Sequence, residues 1–470
     1  MTAADTTANG IGGNGIGLLD RERIIAKPGF NRWLVPPAAL AIHLCIGMAY
    51  GFSVFWLPLS RAIGIKSSVA CPAGASILNA LFTTSCDWKI SELGWMYTLF
   101  FVVLGSAAAM WGGWLERAGP RKAGVVAALC WCGGLMISAV GVATHQLWMM
   151  WLGSGVIGGI GLGLGYISPV STLIKWFPDR RGMATGMAIM GFGGAAMIGA
   201  PLASLLMNYF RTPTMIGVWQ TFVALGVIYF VFMLGGAFGY RVPPVGWQPE
   251  GWTPPPEKRQ VDDHQASGPS PGRAQDKQFW LIWLVLTLNV SAGIGVIGMA
   301  SPMLQEIFGG SLIGHPELKF GELSGEQRTA IAVIAAGFTG LLSLFNIGGH
   351  FFWASLSDKV GRKNTTIRSS RSASRSMRWR RGPPTSAARR CSSPSSASSC
   401  RCTAVASRPC QPISFGTQFV GAIHGRLLTA WSTAGIVGPV VVNYTARPSS
   451  PRACRASWST TSPCTSWPGC

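Results

Sequence analysis

The sequence predicts an all-α polytopic membrane protein, and three observations carry that reading. Hydrophobic residues make up 49% of the 470-residue chain and charged residues only 12%, against roughly 25% charged in a soluble domain. Eight apolar runs reach the roughly 20 residues that cross a bilayer as a helix. Lys and Arg gather in alternate connections between those runs. The apolar content also excludes a disordered chain, a collagen and a small disulfide scaffold.

The elements follow in order. Residues 1–32 are polar or Gly-rich, with Arg21, Arg23, Lys27 and Arg32, and read as a cytoplasmic tail. The run 34–57 is too long and starts too late for a cleaved leader, so it is the first span. The connection 61–92 then faces outside. It holds Cys71 and Cys86, for which a disulfide and two free thiols both stay open. Spans at 93–114 and 123–144 flank a basic loop with Arg117, Arg121 and Lys122. The turn His145-Gln146 carries no Lys or Arg. Spans at 147–173 and 183–209 flank Lys175, Arg180 and Arg181, whereas the next turn holds only Arg211. A sixth span, 216–238, returns the chain to the cytoplasm. The Pro-, Ser- and Gly-rich stretch 241–277 is a linker. Spans at 279–302 and 329–356 follow.

Spans four and five are crowded with glycines, among them Gly153, Gly158, Gly161, Gly165, Gly186, Gly191 and Gly193. Small residues let helix backbones approach closely, so tight packing is the first reading and a moving gate the second.

The net charge of +21 is unevenly spread. Residues 1–364 carry 24 Lys and Arg and all 17 acids, whereas residues 365–470 carry 14 Arg, no Lys and no acid. A basic disordered insert or a patch for nucleic acid or acidic lipid would fit that composition. A third reading is preferred, namely a displaced reading frame. With Ser as TCN and Arg as CGN, moving the frame back one base lets Arg368–Gly382 read FFALGIALYALAPW. The same shift gives LSMYGGGFATVPAY for Ser399–Ile413 and VYDITMYILAGL for Trp458–Cys470. Each hidden string is apolar where a span is missing. The stretch 415–444 reads as a span in the recorded frame. The Cys400-x-Cys402 pair is then a by-product of the frame, and no metal site is expected.

A motif recurs six spans apart. After the second span, Gly112, Glu116, Arg117, Gly119, Arg121 and Lys122 follow the order G-x-x-x-[DE]-R-x-G-x-R-K. After the eighth, Asp358, Lys359, Gly361, Arg362 and Lys363 repeat it, with Ala354 at the first Gly position. An acid at a helix end can accept hydrogen bonds from a neighbouring helix N-terminus and pair with an arginine, which makes a latch.

With this motif, the chain resembles the major facilitator superfamily of secondary transporters. More narrowly it resembles the oxalate/formate antiporter family, through RWLVPPAALAIHLCIGMAYGFSVFWLPLS, IKWFPDRRGMATGMAIMGFG, GWQPEGWTPPP, FWLIWLVLTLNVSAGIGVIGMASP and FGTQFVGAIHGRLLTAWSTAGIVGP. The resemblance implies two six-helix halves. It divides the chain into a tail (1–32), an N-terminal half (33–240), a linker (241–277), spans seven and eight (278–364), a frameshifted segment (365–414), span eleven (415–444) and a frameshifted tail (445–470). Spans nine, ten and twelve are thus expected to be missing. It implies no enzyme and no cofactor. It implies a small organic anion as substrate, a monocarboxylate or a dicarboxylate, with exchange and proton coupling both open, in a monomer that binds no nucleic acid. The expected place is a bacterial inner membrane, with the N-terminus cytoplasmic.

Polar residues inside spans are functional candidates. These are His43 and Tyr50 in span one, Tyr166 in span four, Asn289 in span seven, and Asn346 and His350 in span eight. His43 is equally readable as a histidine bonded to a neighbouring helix. Oxalate-carrying relatives are basic in spans eight and eleven. Here span eight has no Lys or Arg, Arg426 lies near the cytoplasmic start of span eleven, and Trp431 falls where those relatives have Lys. A monocarboxylate therefore suits the chain better than oxalate. A protonated His43 would supply the missing charge and make transport depend on pH. A transport-inactive, frameshifted product of the gene is the alternative.

Overall fold

The computed structural model describes residues 17–65, 68, 69, 71, 77–253, 277–361, 364, 365 and 420–445. Among the described residues, eight helices are long and apolar enough to cross a membrane. They are α1 (Arg32–Tyr50), α2 (Ile90–Ala118), α3 (Pro120–Ala143), α4 (Leu147–Trp176), α5 (Arg181–Phe210), α6 (Val218–Gly239), α7 (Phe279–Gly298) and α8 (Gly325–Val360). Two further helices, α9 (Val420–Leu427) and α10 (Thr429–Thr445), lie within the predicted span eleven. Among the described residues the only β-pairing is two isolated bridges. The segments 366–419 and 446–470, with the predictions made for them, lie outside the described residues, as do Arg362 and Lys363.

Each helix has a local cause. Pro36 and Pro120 sit in the first turns of α1 and α3, where a missing N–H costs nothing. Ser324 caps α8, its hydroxyl accepting from Gln327 N at 3.2 Å while Gln327 returns the bond to Ser324 N. Gly119 and Gly361 end α2 and α8 with φ/ψ of 87°/158° and 89°/150°. That region is essentially open to glycine alone. The two copies of the motif thus share a backbone conformation at the glycine as well as the order acid, base, one residue, glycine.

One predicted run breaks. Residues 279–302 were expected as a single span, but the helix stops at Gly298 and a second, Ala300–Leu312, begins after Met299. Pro302 has no N–H to give to the carbonyl four residues back, at Gly298. Trp56 Nε1 donates to that carbonyl instead, at 2.8 Å, from the extension of α1.

In the N-terminal half α1 packs on α4, α5 and α6, and α3 packs on α4 and α6. Two extensive helix contacts, besides the bond from Trp56, join this half to the rest among the described residues. α5 lies along α8, and α2 lies along α9 and α10, which also touch α4 and α7. Large apolar side chains such as Met110, Leu205, Val231 and Leu288 stay exposed on the outer faces of their helices, as a bilayer-facing surface requires.

On the face opposite the motif, Cys71 and Cys86 form a disulfide, so the two-thiol alternative is set aside. Neighbouring Asp87 fixes the same loop by accepting from Ile63 N, Gly64 N and Val69 N at 2.7, 3.0 and 2.8 Å. His145 stacks on Trp88 with ring centroids 4.1 Å apart, and its Nε2 meets Cys86 O at 2.9 Å.

Candidate central site and latches

Five helices bring aromatic rings to the middle of the bundle. Tyr50 (α1), Phe101 (α2), Tyr166 (α4), Phe192 (α5) and Trp431 (α10) are all buried. Tyr50 and Tyr166 meet Phe192 edge-on at 4.7 and 5.1 Å. Trp431 lies 5.7 Å from Tyr166 and stacks against Tyr50 at 6.3 Å. Such pairs contribute about 0.5–1.5 kcal/mol each beyond their burial.

A cavity of about 10 Å³ lies beside the cluster, the room of roughly one water molecule. Tyr50, Gly193, Ala196, Ile297, Thr339, Ser343 and Asn346 line it, so both halves contribute. No residue in its lining is acidic or basic. Ser343 Oγ donates to Gly193 O. A Cβ on Gly193 would lie 2.5 Å from Asn346 Oδ1 and 3.1 Å from the His350 ring. Gly193 therefore lets the polar face of α8 reach the backbone of α5.

His43 is fully buried but is not among the cavity's lining residues. Its Nδ1 faces Ala188 O of α5, and its Nε2 lies 3.2 Å from Tyr166 O of α4. A neutral imidazole donates to one carbonyl only, and an imidazolium donates to both. His424 of α9 stacks on Tyr166 with ring centroids 6.1 Å apart. Sequence reasoning missed His424, Phe101, Phe192 and Ser343. Their spacing marks only apolar helix faces, and a contact across halves leaves no local signal. Asn289 is half-buried on α7 and absent from the cavity lining. Arg426 is half-buried at the end of α9 and forms no ion pair among the described residues.

The motif acids reach across the halves. Glu116, at the end of α2, accepts from Gly421 N at the start of α9 at 2.9 Å. It also accepts from Ser171 Oγ at 2.9 Å and from Lys175 Nζ, both on α4. Asp358, at the end of α8, accepts from Gly182 N and Met183 N at the start of α5, at 2.9 and 2.8 Å. The amides at a helix start are free to donate and carry positive charge.

At Glu116 the expected arginine partner is corrected, since Glu116 pairs with Lys175. Arg121 points the other way and is nearly buried. It donates to Leu18 O and Phe238 O at 3.0 and 3.2 Å and so ties the N-terminal tail to α6. Arg117, Lys122 and Lys359 are exposed. Gly112 lets α9 close in, because a Cβ there would lie 2.7 Å from Gly421 O.

The Major Facilitator Superfamily model matches residues 39–370. An uncharacterized MFS-type transporter of Escherichia coli K12, YhjX, is 23% identical over 310 residues, which are 65% of this chain and 67% of that protein. An oxalate:formate antiporter of Oxalobacter formigenes is 24% identical over 340 residues, 71% of this chain and 65% of that one. The chain thus spans about two thirds of the length of these curated relatives. The crystal structure of the human organic anion transporter MFSD10 matches with a TM-score of 0.53 at 14% identity, over 88% of this chain and 93% of that one, a likeness of fold.

Proposed function

This chain belongs to the Major Facilitator Superfamily, and from that premise we propose that it moves a small carboxylate across a membrane by alternating access. The observation that carries the reading is the cavity shared by both halves, with two carboxylate latches closed on one side of it. A charge-assisted hydrogen bond contributes about 1.5–3 kcal/mol. Binding of a ligand at millimolar to micromolar affinity releases about 4–8 kcal/mol. Substrate acts on such latches through the difference between its affinities for the closed and the parted state.

The uncharged lining of the cavity favours a monocarboxylate over oxalate, because one negative charge needs one imidazolium or one accompanying proton. His43, behind the aromatic rings, is the proposed carrier of that charge, with exchange or proton coupling as the mode. The name of the Oxalobacter formigenes relative supports the substrate class. The basic loops on the motif face and the disulfide on the opposite face support a cytoplasmic N-terminus in a bacterial inner membrane.

The test is counterflow in proteoliposomes with labelled formate, pyruvate, lactate and oxalate. Exchange of a monocarboxylate is expected, as is an altered pH profile in His43→Gln. Absence of exchange with every acid would overturn the transport reading, and an unchanged pH profile would remove His43 from it.

A second reading has its own observation. The family match ends at residue 370, where the acid-free, Arg- and Ser-rich composition begins. An Arg at the centre of a bilayer costs roughly 2.5–3.5 kcal/mol on insertion scales, so that segment is poor material for spans nine and ten. The chain is then a transport-inactive product of a transporter gene.

A further inference from the structure

On the face away from the motif, the two halves meet at the break in a helix. α1 runs from the motif face past Tyr50, which lines the cavity, and continues through the turns Phe52–Phe55 and Trp56–Leu59. α7 and the helix Ala300–Leu312 that follows it both pack on Phe52–Phe55. Ile297 and Ala300, on either side of the break, also line the cavity. Pro302 has no N–H to give to Gly298 O. The donor comes from the other half instead, as Trp56 Nε1 donates to that carbonyl at 2.8 Å. Trp56 is fully buried. Tyr97, near the outer start of α2, closes on the same glycine, because a Cβ on Gly298 would lie 2.7 Å from its Cε1. The Tyr97 ring also meets the Trp56 indole edge-on at 6.1 Å.

The depth of this bond decides what parting it costs. Arg211 Nη1, which donates to Thr329 Oγ1 at 3.2 Å, and Arg61, whose guanidinium stands 5.4 Å from the Phe320 ring centre, also join the halves on this face. Arg211 is exposed and Arg61 half-buried, so water can replace their partners. The Trp56 bond is buried. Parting it while its surroundings are dry leaves an indole N–H and a carbonyl unpaired, the costly side of the hydrogen-bond balance. Once this face opens, water serves both groups nearly as well as they serve each other. The bond therefore favours the shut state and offers little resistance after the first water enters.

We propose that Trp56 and Gly298 form the outer closure of the path between the halves, a neutral counterpart to the carboxylate latches, and that Pro302 makes this closure depend on the opposite half. The missing N–H in one half calls for a donor from the other, so the break in the helix and the closure are one device. Its role rests on the alternating-access reading, but the bond and the closure are tested without substrate.

The experiment reads access to the cavity from the outer face. Thr339→Cys, in the cavity lining, serves as reporter in the full chain in right-side-out membrane vesicles. A membrane-impermeant maleimide is added, and its attachment to each cysteine is followed by peptide mass spectrometry. Trp56→Phe keeps an aromatic ring and removes the N–H. It is expected to speed labelling at position 339 by roughly tenfold, as a loss of about 1.4 kcal/mol from the closed state gives. Pro302→Ala returns an N–H that can reach Gly298 O from within the helix, so in that background Trp56→Phe should speed labelling by no more than about twofold. A Ser171→Cys reporter on the motif face, read in inside-out vesicles, should not speed up. Unchanged labelling in Trp56→Phe would overturn the proposal. An equal rise in both backgrounds would overturn it too, because the effect would then belong to the packing of the ring. So would a rise at both faces, the sign of a loosened fold. No substrate is used, so failure here and failure in counterflow are told apart.

Discussion

His145 shows how much a single side chain can hide in a sequence. It reads there as uncharged filler in a turn. In the structure it has φ 53°, lies against Trp88 and meets Cys86 O. Burial lowers its pKa from the ordinary 6.5, against weaker opposing effects of the Cys86 carbonyl and Asp87. Below pH 6.5 the unfolded chain therefore binds the proton more readily than the folded one. The stability in question is fully present above that pH and is lost as the pH falls. Between pH 7 and 5 the melting temperature of the detergent-solubilised protein should drop further than that of His145→Gln. Parallel melting curves would count against this. The partners of His145 are dozens of residues away in the chain, so no local pattern could announce them. Gly119 and Gly361 are the contrasting case, because each follows an acid, a base and one further residue, and that spacing marks both turns in the sequence.

Helices were legible as apolar length, and their contacts were not. The eight spans lie where hydropathy puts them, but the break at Met299 needed both Pro302 and the indole of Trp56. The predicted span eleven divides at Leu428, which brings Trp431 into the central rings. The first turns of α4 are wound as a π-helix over Trp151–Gly158, where Ser138 and Ser154 hydroxyls meet at 2.7 Å. α9 lies close against α2. A Cβ on Gly425 would lie 2.1 Å from Ala108 O, which nothing short of moving a backbone relieves. Gly425→Ala should push α9 off α2 and open the motif face. Maleimide labelling of a Ser171→Cys background, at the pocket beneath Glu116, should speed up by about an order of magnitude, as a loss of about 1.4 kcal/mol from closure would give. Unchanged labelling would mean that the pair adjusts in place.

At the scale of the whole molecule, the six-span repeat was legible because both motif copies place an acid, a base, one further residue and a glycine in the same order, followed by basic residues. The site between the halves was not, since it assembles from α1, α5, α7 and α8. Resequencing the gene across codons 360–470 is the decisive measurement here. A continuous frame that encodes apolar spans nine, ten and twelve is expected, and it would make the full transporter worth assaying. A frame that truly encodes the Arg-rich segment would favour the inactive product. The two latches bear on that choice. Glu116 holds the start of α9, and Asp358 holds the start of α5. Under a two-fold axis these are one contact made twice, as an isologous dimer makes it. The closure is therefore redundant, so damage to either copy leaves the other in place. All of its members also lie outside 365–414, so a lesion confined to that stretch would leave the closure its own parts.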